Sequence, residues 1–294
     1  MLAQATPPIH DLAGQVRGPR YAGAMDPCAQ NFGPMLRRWR ERRRLSQMDV
    51  ALAAQSSTRH LSYLETGRAQ PSREMIGRLA EVLDLPLRGH NALLLAAGFA
   101  PAFRESALDA LPAAKAAMER VVQAHRPYPA FVVDAQWQLV LSNGALPQLY
   151  EGCAAELLAP PVNAMRLMLH PEGMAPRILN YEAWRGHCLH LLRQQIDSRA
   201  GEALEQLHAE VAGYPAPRQP DPLPPAEGVD RFATPLRIAT RLGPVSFFST
   251  ITVFGTAHDV TLSELALEML FPGDEQTARI VRALEHEQGS QQQA

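Results

Sequence analysis

The sequence predicts two domains of different fold class: an all-α domain of five short helices, then an α+β domain with a five-stranded antiparallel sheet. Three observations support this. Between residues 33 and 103, apolar residues recur at helical spacing, with serines before and glycines after the periodic segments. From residue 112 onward, segments with strand-like alternation stand on both sides of a helical stretch. The length of 294 residues also suits two domains of ordinary size.

Each helix of the first domain has recognisable end signals. Ser46 and Asp49 have the spacing of a capping box, and Gly67 and Gly98 stand where helices commonly end. A proline opens the fifth helix, where its missing N–H costs nothing. The predicted helices are 33–44, 47–53 after Ser46, a third between Ser57 and Gly67, a fourth after Ser72, and a fifth from Pro86 to Gly98.

The second domain is predicted to alternate between helix and strand. We favour a strand for "TLSELALEMLF" over a helix because it completes an antiparallel meander, with Leu265, Leu267, Met269 and Phe271 as its apolar set. Gly243-Pro244 is expected to form the preceding hairpin turn. The remaining predicted elements are a helix over 112–125, strands at 131–133 and 139–141, a helix from Asn143 to Leu149, helices near 163–169, 178–197 and 201–213, and strands within 232–238 and 245–253.

The two ends of the chain are expected to be tails. Residues 1–32 contain prolines and glycines without apolar periodicity, and Met25 is an alternative translation start. Residues 287–294 are expected to be a disordered tail. The N-terminus has no signal-peptide pattern, and the longest apolar segment is too short to span a membrane. The three cysteines are far apart in sequence, as in proteins without disulfides. We therefore expect a cytoplasmic protein without a membrane span.

The charge is unevenly distributed. Residues 33–98 contain 11 Arg and 6 Asp or Glu, a local charge of +5, whereas the whole chain carries −2 and the remainder therefore −7. A basic segment on an acidic protein indicates a localised anionic partner. An ordinary solvated basic surface is the alternative.

The second and third helices have the lengths and the four-residue turn of a helix-turn-helix. Leu61 and Leu64 occupy one side of the third helix, which leaves its polar side free to enter a DNA major groove. An arginine on that side can bind guanine. Gln47 lies at a helix N-terminus that suits a DNA phosphate, and the arginines of the first helix would attract the DNA phosphate backbone. A plain helical module is the alternative. The predicted DNA contacts are Gln47, Ser57, Thr58, Arg59, His60, Ser62, Tyr63, Arg68, Arg38 and Arg42.

Long segments also resemble a known family. "STRHLSYLETGRAQPSREM", "NALLLAAGFAP", "PYPAFVVDAQWQLVLSN" and "SFFSTITVFGTAHDVTLSELALEMLFP" are similar to the MmyB-like transcription regulators, over roughly residues 33–285. The resemblance implies a Cro/C1-type (XRE) helix-turn-helix DNA-binding domain over 33–103 and a PAS-like ligand-binding domain over 112–286. Gln55 departs from the family, which usually has glycine in this turn, and Ser56 stands where the family has an apolar residue.

The ligand is expected between the sheet and the helices of the second domain. Arg177 and Asn180 stand where the 178–197 helix is predicted to begin, so they could hold a carboxylate or phosphate head. A fatty-acid-like or other amphipathic small molecule would suit such a site; ordinary core packing is the alternative for each apolar residue. The predicted ligand-binding residues are Phe131, Leu141, Arg177, Asn180, Trp184, Phe247, Ile251 and Met269.

No catalytic or metal site is predicted. The sequence lacks GxGxxG, GxSxG and HExxH, and Lys115 is its single lysine. His187, Cys188 and His190 share one helix, but Cys188 falls within an apolar stripe. We therefore expect a sequence-specific DNA-binding transcription regulator with a ligand-sensing domain and no enzyme activity. It is expected to be a homodimer, because paired helix-turn-helix units read two half-sites of double-stranded DNA. The alternatives are an enzyme or a haem or metal sensor with an accessory helix-turn-helix, a ligand-free dimerisation module, and a module that docks an acidic protein.

Overall fold

The first part of the chain consists of short helices around one small core. The computed structural model describes residues 32–199, 201–217 and 233–291. The five helices predicted for the first domain are present: α1 (Phe32–Arg42), α2 (Gln47–Ala53), α3 (Thr58–Glu65), α4 (Arg73–Val82) and α5 (Leu87–Ala96). Their core contains Leu36, Val50, Leu61 and Leu64. Ala51 is also buried, where a small residue lets α2 pack closely.

The ends of these helices are held by the side chains that the sequence indicates. The Ser46 hydroxyl accepts a hydrogen bond from the backbone N–H of Asp49 at 3.1 Å, and the Asp49 carboxylate accepts one from the backbone N–H of Ser46 at 2.9 Å, a complete capping box. Ser57 and Ser72 cap α3 and α4. Gln55 has φ 53°, so it does adopt the left-handed conformation usually left to glycine.

A helix, α6 (Pro112–Ala124), leads into a five-stranded antiparallel sheet, as predicted. The strands are β1 (Ala130–Val133), β2 (Leu139–Ser142), β3 (Leu236–Thr240), β4 (Gly243–Val253) and β5 (Ala266–Pro272). Their spatial order is β2-β1-β5-β4-β3, so β5 lies at the centre. The hairpin between β3 and β4 turns at Arg241 and Leu242, not at Gly243-Pro244, because Gly243 already pairs with Thr240.

Helices cover both faces of this sheet. The face that carries Phe131 and Val133 forms the main core with the helices between β2 and β3, whereas the face that carries Ala130 and Val132 packs on α6. The other helices are α7 (Ala155–Leu158), α8 (Ala164–Leu169), α9 (Tyr181–Arg199), α10 (Glu202–Ala212), α11 (Val260–Glu264) and α12 (Glu275–Gln291). The central strand is thus buried from two sides.

Several predicted boundaries are wrong. Phe32, placed in the tail, is buried and begins α1, because its ring completes the small helical core. α12 was not predicted, and it continues to Gln291, so residues 287–291 are helical; Val281 and Leu284 anchor this helix by burial. The segment after Asn143 forms a 3-10 helix over Leu146–Tyr150 instead of an α-helix. Met25, most of the N-terminal tail and part of the proline-rich loop lie outside the described residues.

Among the described residues, side chains of the first domain bind the second domain at α11 and at α9. Arg88 of α5 forms a bidentate ion pair with Glu264 of α11, at 2.7 and 2.9 Å, and a second ion pair with Glu105 at 2.8 Å. Arg42, the last residue of α1, donates a 2.6 Å hydrogen bond to the backbone carbonyl of Ile196 in α9. The helix-turn-helix part is therefore attached directly to the helix that covers the sheet.

Candidate DNA-binding face and ligand cavity

The outer side of α3 presents polar side chains to solvent. Thr58 and Arg59 are exposed and Ser62 and Tyr63 are partly exposed, whereas Leu61 and Leu64 are buried against the other helices. Because side chains three and four residues apart lie on the same helix face, these four polar residues form one surface. This arrangement can enter a DNA groove without disturbing the core.

The two arginines at this surface are organised by Tyr63. The Arg59 Nε donates to the Tyr63 hydroxyl at 3.0 Å, and its guanidinium lies 5.3 Å from the centre of the Tyr63 ring. The Arg68 guanidinium lies 6.0 Å from the same ring. Cation–π contacts of this kind reduce the conformational freedom of long side chains. Two exposed positive charges are thus held beside α3.

Two predicted DNA contacts at the start of α3 also have internal partners. The Ser57 hydroxyl accepts a hydrogen bond from the backbone N–H of His60 at 3.1 Å, which caps the helix. The His60 Nδ1 lies 3.0 Å from the Ser56 hydroxyl. These bonds orient Ser57 and His60, and they leave the Ser57 O–H and the His60 Nε2 for an external partner.

Glu65 is an organising residue that the sequence interpretation missed. Its carboxylate, 2% exposed, accepts hydrogen bonds from Arg40 at 2.6 and 2.9 Å and from the Gln47 side-chain amide at 2.8 Å. The three residues join the ends of α1, α2 and α3. The Gln47 amide N–H is therefore used inside the fold, and only its oxygen and the nearby helix N-terminus remain for phosphate.

The arginines that were grouped as phosphate contacts have different positions. Arg38 is exposed, and no hydrogen bond or ion pair joins it to another residue of the described ranges. Arg42 instead binds the Ile196 carbonyl and lies 3.7 Å from Glu205. Part of the Arg42 guanidinium is therefore engaged by the second domain, and its contact with phosphate stays a prediction. Arg43 similarly donates to the carbonyls of Leu83 and Asp84 at the end of α4.

A small, partly open cavity of about 10 Å³ lies between the sheet and the helices α8 and α9. A cavity of this size holds about one water molecule, so a ligand would have to displace side chains. Met168, His187 and Leu191 are the partly exposed members of its wall. The wall is formed by Phe131, Trp137, Ala164, Met165, Met168, Trp184, His187, Cys188, Leu191 and Glu268.

Glu268 is the acidic member of this wall. It lies on β5, at the centre of the sheet, and is 6% exposed. Burial raises its pKa to about 7, and a hydrogen bond from the Ser249 side chain opposes that rise in part. No Arg or Lys of the described ranges forms an ion pair with it. A carboxyl group therefore sits in an apolar cavity with little compensation.

The face of α9 that meets the cavity carries aromatic and sulfur groups. The Trp184 and His187 rings are 5.0 Å apart, and Cys188 belongs to the buried stripe of the helix. Burial lowers the pKa of His187, with the nearby His190 a smaller cause. Burial also raises the pKa of Cys188. His190 is exposed and bonded to Gln194, and no group of three potential metal ligands occurs within the described residues.

A second, wider groove of about 470 Å³ lies where the linker after α5 meets the β4–α11 loop. Phe254 and Leu262 supply its apolar surface. Its acidic residue, Asp259, accepts hydrogen bonds from the backbone N–H groups of Ser106 and Thr261. That carboxylate therefore already joins the linker to α11.

Comparison with known proteins identifies both parts of the chain. Residues 31–93 match a helix-turn-helix domain family, and residues 114–284 match the MmyB-like transcription regulator ligand binding domain. The second match covers more than half of the chain. The protein belongs to the MmyB-like transcription regulators. It has the DNA-binding and ligand-binding domains of that family.

Other comparisons add little. No curated protein matches the sequence. A solved structure described as an RNA-binding Light-Oxygen-Voltage Receptor is 14% identical over 89% of this chain, with a TM-score of 0.23. The alignment spans 63% of that receptor's chain. No helix among the described residues of this MmyB-like protein is long and apolar enough to cross a membrane.

The apolar residues predicted to bind the ligand of this MmyB-like protein do not all lie together. Phe131 and Trp184 line the cavity, and Phe247 is buried in the same core without lining it. Ile251 is 43% exposed, although its partner across the sheet is Glu268. Leu141 and Met269 lie on the opposite face and pack toward α6, so their assignment to the cavity is wrong. In a sheet covered on two faces, apolar character alone does not reveal which face a residue joins.

The predicted site for an acidic head group is also wrong. The Arg177 guanidinium donates to the Leu149 carbonyl, and the Asn180 amide bonds to the Pro235 carbonyl at 2.7 Å and to the Arg237 N–H at 3.1 Å. α9 begins at Tyr181 rather than at 178. These side chains connect neighbouring segments of this MmyB-like domain, and neither lines the cavity.

The sequence around Glu268 carries a signal of its unusual position. In "LALEMLF" a single glutamate stands in a strand whose remaining positions are all apolar. The burial pattern of β5 shows that Ala266, Glu268 and Leu270 are its buried set, whereas Leu267, Met269 and Phe271 are only partly buried. In this domain the acidic residue of β5 lines the cavity, whereas Leu267 and Met269 pack on the opposite face of the sheet.

Proposed function

We propose that this protein is a sequence-specific transcription regulator that binds double-stranded operator DNA through the outer face of α3. The observation that carries the proposal is the surface formed by Thr58, Arg59, Ser62 and Tyr63, exposed on a helix whose other side is fully buried. Arg59 and Arg68 are oriented there by Tyr63. Arg can bind guanine through two hydrogen bonds, and Ser or Thr can bind several base edges.

The remaining predicted contacts have supporting roles. Arg38 is exposed on α1 and suits a phosphate contact, which adds affinity for any sequence. Ser57, His60 and the Gln47 oxygen lie at the helix starts, where backbone N–H groups favour phosphate. Two copies of the chain would place two α3 helices on one face of DNA, so we propose a homodimer. We propose that it acts in the cytoplasm, by binding rather than by catalysis.

We propose that a small molecule bound beneath α9 alters DNA binding. The cavity is too small for a ligand unless Met168, His187 or Leu191 moves, and two of these residues lie on α9. α9 also holds Arg42 of α1 through the Ile196 carbonyl. A shift of α9 would therefore act directly on the helix-turn-helix, and a bistable contact of this kind can couple two sites.

The test begins with the full-length protein and fragments of its own genome. Fragments that it retains are sequenced to define an operator, and affinities for that operator and for a scrambled duplex are measured at several salt concentrations. We expect a preference for the operator of at least about 10³-fold at physiological salt. Equal affinity for both duplexes would contradict a sequence-specific regulator and favour the basic surface as a general anion-binding face.

A further inference from the structure

The MmyB-like domain contains one buried feature that its proposed sensing role does not explain: an acidic residue inside an apolar cavity. Glu268 lies on the central strand, is 6% exposed and faces α9. Removing a carboxyl group from water is unfavourable unless other groups compensate. Among the described residues, the Ser249 side chain is the polar group that favours the charged form of Glu268 and lowers its pKa in part. A carboxylate has room for about four hydrogen bonds, so acceptor capacity remains.

The chemistry of a carboxylate limits what can bind beside it. A ligand carboxylate or phosphate would be repelled by the like charge of Glu268, and no Arg or Lys of the described ranges pairs with Glu268 to offset this. A protonated amine would be attracted and would supply the missing hydrogen bonds. The acidic head group expected from Arg177 would therefore meet a like, negative charge in the cavity.

The rest of the wall suits a cation with an apolar body. Phe131, Trp137 and Trp184 contribute aromatic rings, and Met168 and Leu191 contribute aliphatic surface. Trp137 Nε1 donates to Gln195, and Trp184 Nε1 points at the Met168 sulfur. Since both indole N–H groups are engaged, the indoles can offer a ligand only ring surface. Aromatic rings around a carboxylate are a common way to bind ammonium groups.

We propose that Glu268 is the polar anchor of the ligand site, and that the ligand is a small amine with an aromatic or aliphatic body. This inference rests on the proposed sensing function and specifies its ligand class. Met168, His187 and Leu191, which are partly exposed, form the side of the cavity that must open for entry. The amine then lies between Glu268 and the aromatic rings, and its body replaces the displaced side chains.

The pH dependence of binding follows from the groups around Glu268. Burial raises its pKa to about 7, so the charged form that binds an amine predominates only above that pH. Burial raises the pKa values of Tyr150 and Cys188, which stay neutral, and lowers that of His187. Ser249, on β4, does not titrate. Protonation of His187 at acid pH would also oppose an amine, so a Glu268 variant is needed to separate the two effects.

The experiment compares amines with carboxylates of matched body in the full-length protein. The probes are 2-phenylethylamine against 3-phenylpropanoate, and decylamine against decanoate, measured by calorimetry at pH 6 and pH 8. We expect each amine to bind roughly tenfold or more tightly than its partner at pH 8, and about tenfold more weakly at pH 6. Glu268→Gln should abolish the preference and the pH dependence, whereas Glu156→Gln, at an exposed position of α7, should keep both.

The outcomes separate this inference from the proposed function. Equal or tighter binding of the carboxylates, no binding of either amine, or an amine preference that survives Glu268→Gln would each overturn it. Operator affinity is measured with the same probes. If decanoate binds and changes operator affinity, sensing stands and the amine class is wrong. If the amines bind through Glu268 but leave operator affinity unchanged, the ligand class stands and the proposed sensing role fails.

Discussion

Arg40 and Glu65 form a bidentate ion pair that joins α1 to the end of α3, with Nε–Oε1 at 2.6 Å and Nη2–Oε2 at 2.9 Å. Their side chains are 11% and 2% exposed, and Gln47 adds a third hydrogen bond to the same carboxylate. The pair therefore holds the proposed reading helix against the helix that precedes it. In a buried ion pair, loss of either partner leaves the other charge uncompensated and strongly destabilises the fold.

Arg40→Ala should destabilise the helix-turn-helix by about 3–5 kcal/mol, because it leaves the Glu65 carboxylate buried without its cation. Urea unfolding monitored by circular dichroism measures the change. Arg37→Ala is the matched control, since Arg37 pairs with Glu41 at the surface, where solvent screens the two charges and the free energy of unfolding should change little. Similar effects of the two substitutions would show that the buried pair is not important for stability.

Gly33→Ala should destabilise the same region through a backbone clash. A Cβ atom at residue 33 would lie 2.4 Å from the carbonyl oxygen of Glu65 and 2.7 Å from that of Leu64, so α1 and α3 would have to move apart. We expect a loss of about 1–3 kcal/mol in the free energy of unfolding. Gly77→Ala in α4 meets no atom within 4 Å, so it should instead stabilise by about 0.5–1 kcal/mol. Thermal unfolding of both variants provides the comparison.

Arg59→Ala should reduce operator affinity by about 1–3 kcal/mol while changing affinity for scrambled DNA little, because we assign Arg59 to base recognition. Arg38→Ala should weaken binding to both duplexes, as expected for a phosphate contact. The slope of log K against log salt concentration should become shallower by about one. Fluorescence anisotropy over a salt series measures both quantities. Equal losses on the two duplexes for Arg59→Ala would exclude it as a base-reading residue.

Arg42→Ala should loosen the contact between the two domains without unfolding either. The substitution removes the 2.6 Å hydrogen bond to Ile196 and the approach to Glu205, so amide hydrogen exchange in the last turn of α9 should increase. Arg44→Ala is the control, since Arg44 is exposed just beyond the same helix. Unchanged exchange in α9 would mean that Arg42 does not hold the domains together, and the proposed coupling path would be lost.

The buried Glu268 should make stability depend on pH. Its pKa is near 7 in the folded protein and near 4.5 when exposed, so the folded state binds more protons between these values. This contribution is fully present below pH 4.5 and is lost as pH rises through 7, which corresponds to roughly 2–3 kcal/mol between pH 5 and pH 8. Glu268→Gln should remove that part of the slope in denaturant unfolding, whereas Glu156→Gln should leave it. An identical slope in Glu268→Gln would mean that the carboxyl group titrates normally.

The predictions from sequence succeeded where a structural choice depends on neighbouring residues. Ser46, Ser57 and Ser72 cap helices because a serine hydroxyl reaches the backbone N–H three residues later in nearly any context. The alternation in β4 likewise identified a strand, because apolar residues at every second position suit a sheet, and β5 was predicted because it completes an antiparallel meander. The exposed polar side of α3 followed from helical geometry alone, with Leu61 and Leu64 on its buried side.

The sequence by itself thus determined the five helices of the first domain, the five strands in their order along the chain and the polar side of α3, since these depend on hydrogen bonds and dihedral angles over a few residues; α12 was not among the predicted elements. The tertiary structure alone decided which side of β5 meets the cavity, and so made Glu268 a cavity residue while Met269 packs toward α6. It also decided that Arg42 binds α9 instead of remaining free. The two sides of a strand that is buried on both faces do not differ in hydrophobicity, so its sequence does not show which side meets the cavity. A long arginine side chain binds whichever acceptor the fold brings near. The face of β5 and the partner of Arg42 therefore both depend on residues distant in sequence.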